Sequence, residues 1–339
     1  MVYKCSIIAN PEGRAWDFAC RIHEELDKKE EDFSEINKLI IKRFNDGESK
    51  PKIEKNVRGK NCFFIHDSNE NPAYWFLHLC LVNNALKNSS AHEVINVIPY
   101  MKFARQDRKD ESRVPISTQV IAESIEHDHT RVLTMEVHNP AIQGSFRVPF
   151  DSLYSFPTVI DYLQKNYLEI LENIVIATPD EGGVKRARAF ANRLGNPNIS
   201  IGSKFRETDG KVERLEFSGD VSGKRVLVID DIVDSGVTLI NASRVLREEM
   251  KAAEVYAYAT HGLFTKGYEQ LSKSFEKIFI GNTVKQPYVV PDNLGREDKE
   301  KYISEFKLPE NIEYISFVSL FAEAIHRISR GQSLSALFN

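Results

Sequence analysis

Two adjacent acids, Asp230 and Asp231, follow the apolar run 226–229, and the stretch Asp234-Ser235-Gly236-Val237-Thr238 comes shortly after them. The apolar run reads as a buried strand, and the small-residue turn reads as the start of a helix. A helix start leaves backbone N–H groups unpaired at the positive end of the helix dipole. Those amides, with the hydroxyls of Ser235 and Thr238, can surround a monoester phosphate. Asp230 and Asp231 would repel the phosphate but accept hydrogen bonds from sugar hydroxyls. The spacing therefore separates a sugar end from a phosphate end. A plainer alternative, an acidic turn capped by Ser235 or Thr238, accounts for Asp234 and Thr238. It leaves two further carboxylates finishing a buried strand without partners, which is costly.

Such a loop needs a strand before it and a helix after it, and the chain supplies that alternation throughout. β-rich apolar runs predict strands over 3–8, 62–66, 94–99, 131–136, 174–177, 225–229, 254–259 and 277–280. Apolar residues at helical spacing, such as Phe190 and Leu194, predict helices over 15–27, 73–86, 117–126, 183–194 and 239–250. A last helix over 318–328 stops near Arg330-Gly331. The alternation restarts after a joint at 148–154. The expected fold is α/β, with two similar domains, each a mainly parallel sheet flanked by helices. Their expected bounds are 1–150 and 151–339, the last helix being able to pack back on the first domain. The charged run 28–35 and the polar stretch 286–307 read as solvated surface insertions.

A chain of 339 residues can bury a core in each half. Its net charge of -4 argues against a nucleic-acid partner held by overall basicity. No apolar run approaches the roughly 20 residues of a membrane helix, so no membrane partner is expected. Cys5, Cys20, Cys62 and Cys80 form no Cys-x-x-Cys pair. They read as reduced, mostly buried thiols of a soluble cytoplasmic protein.

The segment 226–238 resembles the phosphoribosyl diphosphate (PRPP) loop shared by type I phosphoribosyltransferases and ribose-phosphate diphosphokinases, also called PRPP synthetases. Val237 stands where a second glycine is usual. Four further stretches resemble the diphosphokinases alone, and the resemblance runs from about Arg43 to the end. Arg43-Phe44-Asn45-Asp46-Gly47-Glu48 resembles the family's adenine loop, which implies ATP binding by Phe44, Asp46, Gly47 and Glu48. An aromatic ring can stack on a purine while carboxylates accept its exocyclic amine. In the family this loop reaches into a neighbouring subunit, which implies a homo-oligomer built from dimers, up to a hexamer. The plainer alternative is a hairpin turn at Asp46-Gly47 with Phe44 packed inward.

Pro99-Tyr100-Met101-Lys102-Phe103-Ala104-Arg105-Gln106 resembles the family's ATP loop, which assigns Arg105 to phosphate and Gln106 to the nucleotide. Thr134-Met135-Glu136-Val137-His138 and Pro179-Asp180-Glu181-Gly182-Gly183 resemble stretches whose histidine and aspartate lie near magnesium (Mg2+). The resemblance assigns His138 and Asp180 to the metal, His138 also to ATP, and the bare amides of Gly182 and Gly183 to a diphosphate. Glu136 replaces the family's aspartate with a longer carboxylate that could still reach the metal. Ser203-Lys204-Phe205-Arg206 resembles the catalytic loop. Lys204 and Arg206 lie two apart, on one side of a strand, and would face the reacting phosphates.

The resemblance implies transfer of the diphosphoryl group of ATP to the C1 hydroxyl of ribose 5-phosphate, giving PRPP and AMP for nucleotide biosynthesis. Asp230, Asp231 and residues Asp234, Ser235, Gly236, Val237 and Thr238 would hold the sugar phosphate. A type I phosphoribosyltransferase shares that loop but has no use for the stretches at 43–48 and 105–106. A non-catalytic regulatory homologue is expected to lose the cationic pair or the sugar loop, and this chain keeps both.

Overall fold

The computed structural model describes residues 4–126, 130–196, 198–206, 213–290 and 294–338. The chain divides into two units, Met1–Tyr154 with Phe317–Asn339, and Ser155–Ser316. The first contains β1 (Cys5–Ala9), α1 (Trp16–Lys29), β2 (Ser34–Arg43), β3 (Ser49–Ile53), β4 (Asn61–Ile65) and α2 (Pro72–Asn88). It continues with β5 (Glu93–Ile98), α3 (Ser117–Ser124), β6 (Thr130–Met135) and β7 (Phe150–Leu153). Its sheet has the order β3-β2-β1-β4-β5-β6-β7. Only β3 runs antiparallel to its neighbour. The central β1 and β4 are buried at every position, as strands covered on both faces of a parallel sheet must be.

The second unit contains α4 (Phe156–Asn166), α5 (Leu168–Leu171), β8 (Ile174–Thr178), α6 (Val184–Arg193), β9 (Ile199–Arg206) and β10 (Glu213–Phe217). Then come β11 (Arg225–Val233), α7 (Val237–Arg244), β12 (Glu254–Gly262), α8 (Glu269–Lys273), β13 (Ile278–Gly281), α9 (Arg296–Glu305) and β14 (Ile312–Ile315). The sheet order is β10-β9-β8-β11-β12-β13-β14, the order of the first sheet repeated position by position. Its odd strand is again the hairpin partner at the edge, β10, antiparallel to β9. The last helix, α10 (Val318–Ser329), belongs to the first unit. There Phe321 meets Phe18 of α1 edge-on at 5.5 Å, and Glu323 pairs with Lys29 at 2.6 Å.

The two stretches read as insertions carry regular structure, and residues 28–32 and most of α9 are exposed. Residues 28–35 hold the end of α1 and the start of β2, with Ser34 buried. Residues 286–307 carry α9. The joint at 148–154 contains β7, the strand that closes the first sheet against β6. In each unit the strand order reverses beside the first strand, between β1 and β4 and between β8 and β11. In open parallel sheets, ligands bind at such switch points, beyond the carboxyl ends of the strands.

Candidate active site

At the switch point of the second unit, β11 is buried from Val226 to Ile229 and then continues to Val233. Asp230 and Asp231 therefore lie inside the strand and do not end it as expected. The cause is β12, which runs on to Gly262 and pairs Asp230 with Ala259 and Ile232 with His261. Asp231 is only 6% exposed, and its N–H donates to Asp230 Oδ1 at 2.9 Å. Burial holds the Asp230 carboxyl well above the usual carboxylate range, and the neighbouring Asp231 and Asp180 push the same way. Arg186, on α6, opposes them, its guanidinium 3.7 Å from Asp231 Oδ1.

Beside this pair, β8 ends at Thr178 and the chain turns through Pro179 and Asp180 into a short 3-10 segment, Glu181–Gly183. Asp180 Oδ1 accepts the Gly183 N–H at 3.1 Å, and the Thr178 hydroxyl donates to the Asp180 carbonyl at 3.0 Å. A Cβ on Gly183 would sit 2.1 Å from Thr178 Oγ1, so only glycine closes this turn. The Gly183 amide is thus taken by the Asp180 cap, not bare as expected. A Cβ on Gly182 would lie 3.3 Å from Asp180 Oδ1.

After β11, Thr265 donates both its hydroxyl, at 2.7 Å, and its N–H, at 2.8 Å, to Asp234. Asp234 therefore fixes the turn. Gly236 has φ 80 and ψ -9, a left-handed conformation that glycine adopts without strain. With that demand met at Gly236, Val237 begins α7 in ordinary helical backbone and is 55% exposed. The amides of Val237 and Thr238 stand at the N-terminus of α7, and Ser235 precedes it.

On the other side of β8, β9 runs parallel to it, Thr178 opposite Ile201. A Cβ on Gly202 would lie 2.7 Å from the Pro179 carbonyl oxygen and 2.9 Å from its carbon. β9 thus runs against the backbone that leads into Asp180. Alternation along the strand sends the Lys204 side chain to the face where Gly202 meets Pro179. Lys204 is exposed and sits opposite Leu215 in the β9–β10 hairpin. The backbone of Arg206 pairs with Glu213, and the Arg206 side chain lies outside the described residues. Asp180, Asp230, Asp231 and the strand of Lys204 thus meet at one end of the sheet. Arg186 and Gly202 went unnoticed in the sequence.

In the first unit, Phe44 sits at the tip of the β2–β3 hairpin. Phe44 N–H donates to the Glu48 carbonyl, Gly47 N–H to that of Phe44, and Glu48 N–H to Asp46 Oδ1. Gly47 takes φ 94. The Asp46-Gly47 turn is present, but Phe44 points outward, 44% exposed, and does not pack inward.

The loop after β5 carries Arg105 and Gln106, both exposed. Gln106 accepts a short hydrogen bond from Ser117 Oγ, and its carbonyl accepts from Thr118 N–H at 3.2 Å. Asn139 Nδ2 donates to Asp107 Oδ2 at 2.5 Å, tying the loop after β6 to the loop after β5. His138, beside Asn139, is exposed. Glu136 is buried, with φ 33, its N–H donating to the Leu153 carbonyl at 3.0 Å. That positive φ breaks the strand alternation, so Glu136 turns inward while His138 faces out. A metal-binding role for Glu136 gains no support.

Among the described residues, no group of three or more His, Cys, Asp or Glu side chains converges to hold a metal. A hard cation that keeps its waters and bridges phosphates needs few protein donors. Asp180 suits one, because Oδ1 serves the Gly183 cap and Oδ2 remains. Among the described residues no helix is long and apolar enough to cross a membrane.

Residues 16–128 match the family model for the N-terminal domain of ribose phosphate pyrophosphokinase, and residues 151–282 match that for the phosphoribosyl transferase domain. A ribose-phosphate pyrophosphokinase of Chlorobaculum tepidum is 37% identical over 299 residues, 87% of this chain and 85% of that protein. One of Bacillus subtilis is 36% identical over 328 residues, 95% of this chain and 96% of that protein. The crystal structure of phosphoribosylpyrophosphate synthetase from Mycobacterium smegmatis matches with a TM-score of 0.78 at 26% identity, over 97% of this chain and 99% of that one. The likeness begins well before Arg43, at residue 16.

Proposed function

The chain belongs to the ribose-phosphate pyrophosphokinase family, and on that premise we propose how its residues perform the reaction. The enzyme transfers the diphosphoryl group of ATP to the C1 hydroxyl of ribose 5-phosphate, giving PRPP and AMP. The observation that carries the assignment of roles is the meeting of Asp180, Asp230, Asp231 and the Lys204 strand at one switch point. Asp230 and Asp231 accept hydrogen bonds from the ribose hydroxyls. The amides opening α7, with the hydroxyls of Ser235 and Thr238, hold the 5-phosphate. Asp234 and Gly236 shape that turn.

Lys204 stabilises charge developing on the transferred group, where a preorganised cation contributes most. Arg206, two residues on, serves the same group. In the first unit, Phe44, Asp46, Gly47 and Glu48 take the adenine, while Arg105, Gln106 and His138 take the rest of ATP. Asp180 and His138, each within its own unit, would be the residues offered to magnesium, which would supply neutralisation of phosphate charge. No general base stands out. The transfer relies on alignment and charge neutralisation.

The exposure of Phe44 at a hairpin tip supports an adenine loop offered to a neighbouring subunit, and with it a homo-oligomer. Buried thiols outside any disulfide at Cys5 and Cys62 support a reducing, cytoplasmic setting. The test is to incubate purified protein with ATP, magnesium and ribose 5-phosphate. Equal amounts of AMP and PRPP are expected. AMP absent from an otherwise folded, oligomeric protein would favour the regulatory homologue.

A further inference from the structure

We propose that Arg186 is a positioning residue for the sugar-binding acids, orienting Asp231, and through it Asp230, so as to set the affinity for ribose 5-phosphate. The inference rests on the reading of Asp230 and Asp231 as ribose ligands. Arg186 breaks a local rule. It lies in the first turn of α6, which has Lys185 beside it and no acid, although cations there oppose the helix dipole. Nor does it snorkel to solvent, since its side chain is only 15% exposed. Asp231 breaks a second rule as a carboxylate only 9% exposed, held within a parallel strand.

The two anomalies answer each other across 3.7 Å. Truncating one partner of a nearly buried ion pair strands the charge of the other. The pairing is also built into the fold. Gly183 abuts Thr178 so tightly that the start of α6 has one place to go, and Arg186 follows one turn later. The backbone N–H of Asp231 donates to Asp230 Oδ1 at 2.9 Å, and the two carboxyl groups also share a side-chain hydrogen bond, which links the placing of one acid to the other. Removing the guanidinium takes one cation from beside Asp231 while Asp230, which Asp231 and Asp180 both crowd, stays in place.

The test is steady-state kinetics on Arg186→Gln, Asp231→Asn, the double variant and Asp230→Ala, each with a thermal melt. Arg186→Gln should raise the KM for ribose 5-phosphate about tenfold or more, because it removes one partner of a largely buried ion pair. Its kcat and its KM for ATP should stay within about threefold, because a positioning loss acts on binding of the sugar. Arg186→Lys, which keeps the charge but loses the planar fork, should restore part of the affinity.

The double variant should bind the sugar no worse than Asp231→Asn alone. Multiplied effects there, or a fall in kcat with KM unchanged, overturn the inference. Should Arg186→Gln lose its cooperative melt, the double variant, which buries no stranded charge, decides alone. If Asp230→Ala raises the KM for ribose 5-phosphate and Arg186→Gln does not, only the role of Arg186 falls. If neither does, the sugar-site reading itself falls.

Discussion

Substituting Gly202 by alanine tests whether the placement of β9 matters to chemistry. The added Cβ would lie 2.7, 2.9 and 3.1 Å from three backbone atoms of Pro179, where carbon contacts are comfortable only at about 3.5 Å and beyond. Relief requires a separation of about 0.8 Å. Neither side can rotate away, since both are main chain. The β9–β10 hairpin should yield, because it forms the edge of the sheet while β8 is held between two strands. Overpacking of this kind costs about 1–3 kcal/mol, or roughly 2–4 °C of Tm per kcal/mol.

The catalytic cost is larger. A shift near 1 Å in a group that must meet the transition state can cost about 100-fold. Gly202→Ala should therefore lower kcat about 10- to 100-fold, with the KM for ribose 5-phosphate within about threefold, because Asp230 and Asp231 sit on the unmoved side of β8. The assay is AMP release at saturating ATP, with a melt on the same sample. A variant with lowered Tm but wild-type kcat would refute the idea that Pro179 sets the aim of Lys204.

Lys204→Ala should lower kcat by about 100-fold or more while ribose 5-phosphate binding survives, and near-normal turnover would remove Lys204 from the mechanism. Burial, Asp231 and Asp180 raise the Asp230 pKa in the folded state, so folding favours its protonated form. Stability is then lost as pH climbs from the ordinary carboxylate range through the raised value. Ligand-free Asp230→Asn should therefore melt higher than wild type at pH 7, the gap closing toward pH 4, while its KM for ribose 5-phosphate rises. A lower Tm at neutral pH would contradict the raised pKa. Burial pushes the thiols of Cys5 and Cys62 up to about 11 and about 12. A thiol reagent should label only Cys20 and Cys80 in the native protein, and labelling of Cys5 or Cys62 before unfolding would count against their packing.

The local structure of residues 230–238 was legible because a strand, a turn and a helix start follow one another in the chain. The extent of β11 was not, since paired acids normally disfavour a strand and only the long partner β12 keeps them in the ladder. Gly202 and Arg186 were silent for the same reason. Each acquires meaning from a residue distant in sequence, Pro179 and Asp231, that the fold brings alongside. Glu136 shows the converse. Its motif was visible, but the backbone turn that buries it was not. The run at 28–35 showed its exposure in its charge, but not that a helix ends and a strand begins within it.

The repeated strand order raises the question of why the sugar phosphate should favour one switch point over the other. At the first, Asp67 follows β4 much as Asp230 follows the buried part of β11. Its carboxylate accepts the Arg14 N–H at 2.7 Å on one oxygen and the Asn69 N–H at 2.8 Å on the other. Gly13 presses close enough that a Cβ there would lie 2.8 Å from Asp67 Oδ2. The acid of that crevice is thus tied on both oxygens to its own loop. Asp231, by contrast, faces a cation on α6 at 3.7 Å. The first unit also has an edge hairpin, β2–β3. That hairpin is the counterpart of β9–β10, so one structural device presents an aromatic ring, Phe44, in one unit and a cation, Lys204, in the other.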